Sequence, residues 1–369
     1  MHIGIPREIK PEEHRVAATP AGVGVLVRAG HRVTVEAGAG LAIGHDDAQY
    51  AAAGARLATG PAEVYSADLI YKVKEPQGSE VALLRTGQTL FCYLHLAAAP
   101  SLAHDLIERG VSALAFETVT DAHGATPLLA PMSRIAGRMA VQVGMQALEM
   151  KHGGRGTLLS GVPGVAPGHV VIVGGGQVGG NAARIAVGLG ARVTLLDLDP
   201  VRLEAYDNQY AERIETRYSN AANLAECLAG ADLVIGAVYV HGRRAPRLIE
   251  RAMVSAMPRG AALVDVAIDQ GGSAETSCVT THDAPFRVVE GVVHYGVANM
   301  PGAVARTSTT ALMEATLPYL LRLAGHGMRA AFETDPGFAA GLNLAQGHVT
   351  HAGLAQDLDL PGHAWQDSL

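Results

Sequence analysis

Four charged or titratable side chains stand among apolar neighbours in this chain, and three of them close or follow runs that read as buried strands. Arg15 sits in His14-Arg15-Val16-Ala17-Ala18, Lys74 closes Tyr71-Lys72-Val73-Lys74, and His95 closes Phe91-Cys92-Tyr93-Leu94-His95. Asp269 follows Val264-Asp265-Val266-Ala267-Ile268. Each alone has an ordinary reading: a surface cation, a hydrogen-bonded structural histidine, an aspartate capping a turn. In open α/β sheets, however, ligands bind beyond the carboxyl ends of the strands, and Lys74, His95 and Asp269 all fall there. An imidazole titrates near neutrality and suits proton transfer. The combination points to catalysis, and a cleft between two domains is expected to bring the residues together.

Beside this set runs Val170-Val171-Ile172-Val173-Gly174-Gly175-Gly176-Gln177-Val178-Gly179, a strand leading straight into G-x-G-x-x-G. The pattern by itself is weak in a chain with 44 glycines. Its context is specific: a strand before it, a helix after it, and a second strand ending in Asp197, close to the ~20-residue offset expected of the acid that grips a ribose. Gly174 permits the tight turn, Gly176 lets backbone approach a pyrophosphate, and Gly179 lets helix and strand pack closely. The helix N-terminus adds N–H groups and a partial positive charge. The bland alternative is a glycine turn with no ligand. A carboxylate at Asp197 accepts from ribose hydroxyls and repels a 2′-phosphate, which favours NAD over NADP. Arg202, on a helix opened by Pro200, reads as adenine-side.

The elements that must position these residues alternate in type. Strands are expected over 2–6, 32–36, 69–73, 89–94 and 112–116, with helices over 21–29, 46–53 and 101–109 between them. This alternation argues for a parallel sheet with crossover helices. A helix over 140–150 and the Gly-Pro-rich stretch 160–168 lead to a second series. Its strands are expected over 169–174, 192–197, 232–237, 262–266 and 288–289, and its first helix over 179–189. A long apolar helix from Thr307 to about Leu323 plausibly returns to the first domain, and the residues from about Pro361 read as a loose terminus. No internal repeat of fixed short period is evident.

Composition sets outer bounds. A chain of 369 residues exceeds one usual core, and 49% hydrophobic with 17% charged residues is globular. A net charge of -7 gives no electrostatic case for nucleic acid. Cys92, Cys227 and Cys278 are too few and scattered for a disulfide framework. Residues 1–8 lack the basic and apolar regions of a signal peptide. No uncharged apolar run reaches the ~18 residues of a membrane span. A soluble, cytoplasmic protein is expected.

The motifs together resemble alanine dehydrogenases from end to end. The matching segments are Gly4-Ile5-Pro6-Arg7-Glu8, Arg15-Val16-Ala17, Lys72-Val73-Lys74-Glu75-Pro76, Leu94-His95-Leu96-Ala97-Ala98 and Pro131-Met132-Ser133. Gly161-Val162-Pro163-Gly164-Val165, the glycine fingerprint, Asp265 through Gly272, and Val297-Ala298-Asn299-Met300-Pro301 follow in the family's order. The resemblance implies two doubly wound α/β domains. A Rossmann NAD-binding domain (130–304) would be inserted in a discontinuous, Rossmann-like substrate domain (1–129 and 305–369), and six copies would form a homohexamer. By position, Arg15 and Lys74 would bind substrate, His95 would be the acid/base, and Asp269 the second catalytic residue. NAD would be lined by Ser133, Asp197, Arg202, Ser219, Val266, Ala267, Ile268, Asp269, Val297, Ala298, Asn299 and Met300. The candidate cofactor set also takes in Gly174, Gly176, Gln177, Val178, Gly179, Val238 and Tyr239.

The implied reaction is oxidative deamination of L-alanine to pyruvate and ammonia. Two departures from relatives stand out. Arg322 and His326 have the i, i+4 spacing of a metal pair, yet Arg322 replaces the acid of some relatives and cannot ligate, so no metal is expected. Cys278 stands where some relatives have Arg. Three other readings share the architecture: the NAD-binding subunit of a proton-translocating transhydrogenase, a reductase of a lysine-derived amino acid, and a catalytically silent NAD-binding module.

Overall fold

A computed structural model describes residues 1–238 and 245–369. The chain divides into two units, Met1–Met132 with Val304–Leu369, and Ser133–Ala303. In the first unit His2–Ile5, Leu69–Tyr71, Thr89–Cys92 and Ser112–Ala115 are buried at every position. Strands covered on both faces are hydrophobic throughout, which is why these runs show no alternation. Across the sheet the order is Ser112–Ala115, Thr89–Cys92, Leu69–Tyr71, His2–Ile5, Arg32–Glu36, Arg56–Ala58. All five of these pairings are parallel. The chain order reverses between His2–Ile5 and Leu69–Tyr71, so the loops leaving those strands part there and open a crevice.

The second unit repeats the plan. Val292–Tyr295, Ala262–Asp265, Leu233–Gly236, His169–Val173, Arg192–Asp197 and Glu215–Tyr218 lie side by side in that order. They pair in parallel, and Phe286–Val289 adds an antiparallel edge. The reversal falls between His169–Val173 and Leu233–Gly236. Both sheets are therefore doubly wound and Rossmann-like.

Several boundaries depart from the sequence reading. The helix expected over 140–150 begins at Ala130 and runs to Ala147. Ser133, Arg134 and Arg138 interrupt its apolar pattern and hide the start. The helix from Thr307 spans Ala305–Thr334, with Gly327 at φ 76 breaking its regularity. Leu342–Ala345 and His348–Val349 were not expected as strands; the first joins Ser112–Ala115 antiparallel and the second pairs with it. The C-terminus is not loose. Trp365 meets the Phe332 ring at 5.5 Å, and Arg329 donates to the carbonyls of Gln366 and Leu369. An aromatic anchor and main-chain acceptors hold it.

Both sheets open with the same device. His2 Nε2 meets Thr34 Oγ1 at 2.8 Å, and the His2 amide donates to Asp68 at 2.9 Å. In the second unit His169 Nε2 meets Thr194 Oγ1 at 2.9 Å, and its amide donates to Asp232 at 2.8 Å. Burial, followed by Arg32 in one case and Arg192 in the other, depresses the pKa of each imidazole. A depressed histidine contributes stability that is complete above its unfolded pKa of about 6.5, and loses it as pH falls, because the unfolded chain takes up protons that the fold refuses. The melting temperature should therefore fall between about pH 7 and about pH 5.5, and a His2→Gln, His169→Gln variant should show a flatter profile. Identical slopes in the two proteins would refute this account.

Candidate active site

Arg15 lies on the segment that leaves His2–Ile5, and Lys74 lies just past Leu69–Tyr71, so both stand at the first unit's point of reversal. Arg15 is almost wholly buried. Its Nε donates to Glu13 Oε1 at 2.7 Å and its Nη2 to Glu13 Oε2 at 2.5 Å, while Nη1 points at Met132 Sδ, 3.2 Å away. Burial disfavours its charge, but Glu13 more than offsets that and holds the pKa above the ordinary value. The guanidinium is thus fixed in orientation and permanently charged.

The Lys74 turn is braced from beneath by a charge cluster that sequence reading missed. Lys72, 1% exposed, reaches Glu8 at 3.0 Å and Glu80 at 3.3 Å. Glu8 also accepts the Val73 amide at 2.6 Å, and Glu80 accepts the Gln77 amide at 2.7 Å and the Tyr65 hydroxyl at 2.9 Å. Burial opposes the Lys72 charge, yet its two carboxylates raise its pKa well above the usual lysine value. Burial raises the Glu8 pKa, with Lys72 opposing. Glu8 belongs to the segment that carries Arg15, so the cluster ties the two cation-bearing loops together. Glu75, beside Lys74, pairs with Lys10.

His95 ends the turn after Thr89–Cys92, in the left-handed region at φ 48. Its ring lies parallel to Tyr93, 4° off plane at 6.0 Å, and the buried Tyr93 hydroxyl donates to Leu128 O at 2.7 Å. Arg15, Lys74 and His95 all belong to the first unit.

Asp269 and the cofactor set belong to the second unit, beginning with Ser133. Gly174 adopts φ 99, which a side chain would strain, and a Cβ at Gly179 would lie 1.8 Å from Gly174 O. A Cβ at Gly176 would meet nothing within 4 Å. That open flank lies at the start of the helix Gln177–Gly188, where the amides of Gln177 and Val178 lack helical acceptors. A pyrophosphate fits such a cradle. Asp197 ends its strand and accepts from Gly175 N at 2.6 Å, Asp199 N at 2.9 Å and Arg202 Nη1 at 2.9 Å. Burial works to raise its pKa, but these donors bring it below the ordinary value. A carboxylate has about four acceptor positions, which leaves room for a hydroxyl. Arg202 is held by that ion pair, and Ser219 N donates to Asp197 O at 2.9 Å.

Val238 is half-buried just past Leu233–Gly236, while Tyr239 lies outside the described residues. Val266–Gln270 forms a 3₁₀ turn that leaves Asp269 exposed. Asp265 organises it: this buried carboxylate accepts Ala267 N at 3.1 Å, Ser273 N at 2.7 Å, Ser273 Oγ at 3.0 Å and the Ser277 hydroxyl. Val297 bridges to Thr280, Ala298 follows it, Asn299 takes φ 60, and Met300 is buried at the next turn. Arg322 pairs with Asp335 at 2.8 Å and covers the Tyr319 ring at 4.6 Å, a structural role.

Residues 4–136 match the family described as Alanine dehydrogenase/PNT, N-terminal domain, and residues 140–352 match its C-terminal domain. The chain is 55% identical to an alanine dehydrogenase of Halomonas elongata over 361 residues, covering 98% of this chain and 97% of the relative. A solved L-alanine dehydrogenase superposes with a TM-score of 0.95 at 48% identity, covering 97% of this chain and 99% of that one. A transhydrogenase from Sinorhizobium meliloti follows with a TM-score of 0.83 at 26% identity, covering 95% and 100%.

Proposed function

The chain belongs to the alanine dehydrogenase/PNT family, and from that premise we propose that it deaminates L-alanine oxidatively to pyruvate and ammonia with NAD as cofactor. One observation carries the reading beyond family likeness. Each doubly wound unit presents at its own point of reversal the group its task requires: a fixed cation pair in the first, a glycine cradle in the second.

The first unit is the substrate unit. Arg15 and Lys74 hold the carboxylate of alanine. Because the Nε edge of Arg15 faces Glu13, the substrate is engaged through the Nη end, with Lys74 supplying a second point charge. The second unit is the cofactor unit: Gly174 to Gly179 cradle the pyrophosphate, Asp197 takes a ribose hydroxyl, and Arg202, Ser219, Val238 and residues 297–300 line the rest. NAD, when bound, supplies the acceptor for the hydride removed from alanine Cα. The resulting imine adds water, and the carbinolamine releases ammonia to leave pyruvate. His95 carries protons during these steps. Asp269, set in its turn by Asp265, orients the water and stabilises positive charge on the imine nitrogen. A transhydrogenase exchanges hydride between nucleotides and has no use for this imidazole and carboxylate. Among the described residues no helix is long and apolar enough to cross a membrane. We further read the chain as a cytoplasmic homohexamer. Exposed apolar Leu158, Val162 and Val165 support self-association, which light scattering coupled to gel filtration would measure.

The test is direct. Purified protein with NAD and L-alanine at alkaline pH should generate NADH absorbance. NAD binding without turnover of any amino acid would overturn the reading in favour of a silent module. A second expectation concerns the cradle. Gly179→Ala forces a methyl into Gly174 O, and such overpacking costs about 1–3 kcal/mol. NADH affinity, read by fluorescence titration, should weaken by roughly tenfold. Unchanged affinity would remove the glycine loop from the cofactor site.

A further inference from the structure

Glu117 stands in none of the motifs, yet its carboxylate meets the His95 turn at three points. It lies in the short turn Phe116–Thr118, which follows Ser112–Ala115, the strand paired with Thr89–Cys92. Its Oε1 accepts the His95 amide at 2.6 Å, and both oxygens lie 3.3 Å from the Leu94 amide. The same Oε1 is 3.8 Å from His95 Nδ1. The Glu117 side chain is 12% exposed while that of His95 is 46% exposed, so the carboxylate sits behind a ring that faces outward. Tyr93 lies parallel to one face of the ring.

We propose that Glu117 is the positioning residue of His95. Its two backbone contacts hold a left-handed turn that a histidine adopts only with support. Its negative charge on the Nδ1 side favours the tautomer with the proton on Nδ1, which leaves the Nε2 lone pair to receive a proton. Nε2 takes a proton from the water that adds to the imine, and gives it to the departing amine; Nδ1–H stays in place throughout. While the ring carries both protons it is a cation, and Glu117 balances that charge. The 3.8 Å separation needs to close by less than an ångström to become a hydrogen bond, a tightening common when catalytic groups engage substrate. This inference rests on His95 being the proton carrier.

Glu117→Gln tests it, because the amide retains an oxygen for the two backbone donors and loses the charge. The expected result is a fall in kcat of about 10- to 100-fold with KM for alanine and NADH affinity within about twofold of wild type. Glu117→Asp, which keeps the charge at shorter reach, should recover part of that loss relative to Gln. Near-normal kcat in Glu117→Gln overturns the proposal, as does a rise in KM that merely tracks a lower melting temperature. If Glu117→Gln does not fold, an Asp variant that folds but has no more than trace kcat overturns it as well, and one that keeps substantial kcat supports it. His95→Asn runs in parallel. Normal turnover in that variant would sink the role of His95 itself, whereas its loss alongside an unaffected Glu117→Gln sinks only the present inference.

Discussion

A His95→Asn protein should fold, bind NADH as the native protein does, and lose about 10²- to 10⁴-fold in kcat, the range that a positioned acid/base group contributes. Asparagine is the informative replacement because His95 adopts φ 48, a conformation that asparagine tolerates better than alanine. The turn, with its amides on Glu117, is then preserved and only the proton carrier is removed. The His95 side chain is nearly half exposed and contributes nothing to the apolar core, so the melting temperature should stay within about 2 °C of native. Steady-state assays at saturating alanine separate this from a binding defect: the carboxylate of alanine is assigned to Arg15 and Lys74, so KM should change little. A variant that keeps native kcat while weakening alanine binding would instead make His95 a substrate-binding group, and the proton would have to move by another route.

Why the sequence discloses His95 so readily and Glu117 not at all has a physical answer. His95, Lys74 and Asp269 interrupt or end apolar runs, and a strand buried on both faces shows its end as the first polar residue. The glycine fingerprint is equally local, since turn, cradle and helix start all lie within six residues of one another. Glu117 acts across the sheet on residues 22 and 23 positions earlier, and nothing in a run of sequence announces which carboxylate will cross. The same holds for Lys72, whose partner Glu8 lies 64 positions away. Read along the chain it is one of two alternating lysines, indistinguishable in kind from Lys74. Asp265 is an intermediate case: its donors Ser273 and Ser277 lie close by in sequence, but only the folded loop turns them back on it. The strand Leu342–Ala345 was hidden for another reason. It is four residues long, follows a long helix, and takes its identity from the edge of Ser112–Ala115 that it completes.

Lys72 also yields the largest expected effect on stability. With Lys72 1% exposed and Glu8 and Glu80 nearly as deeply buried, Lys72→Met leaves two carboxylates facing each other without a cation. Breaking a buried pair from one side costs about 3–5 kcal/mol, and for a unit of this size that corresponds to a fall in melting temperature on the order of 10 °C. The loss is expected to come from the stranded charge rather than from missing attraction, and a double variant decides between the two. Glu8→Gln together with Lys72→Met removes one orphaned carboxylate while its amide oxygen can still accept the Val73 amide. It should recover much of the stability lost by Lys72→Met alone. If the two changes simply add, the cluster is held by direct attraction and the burial argument is wrong. The two positions of this alternating pair would then separate by assay: Lys72→Met lowers thermal stability, whereas Lys74→Met raises KM for alanine with the fold intact.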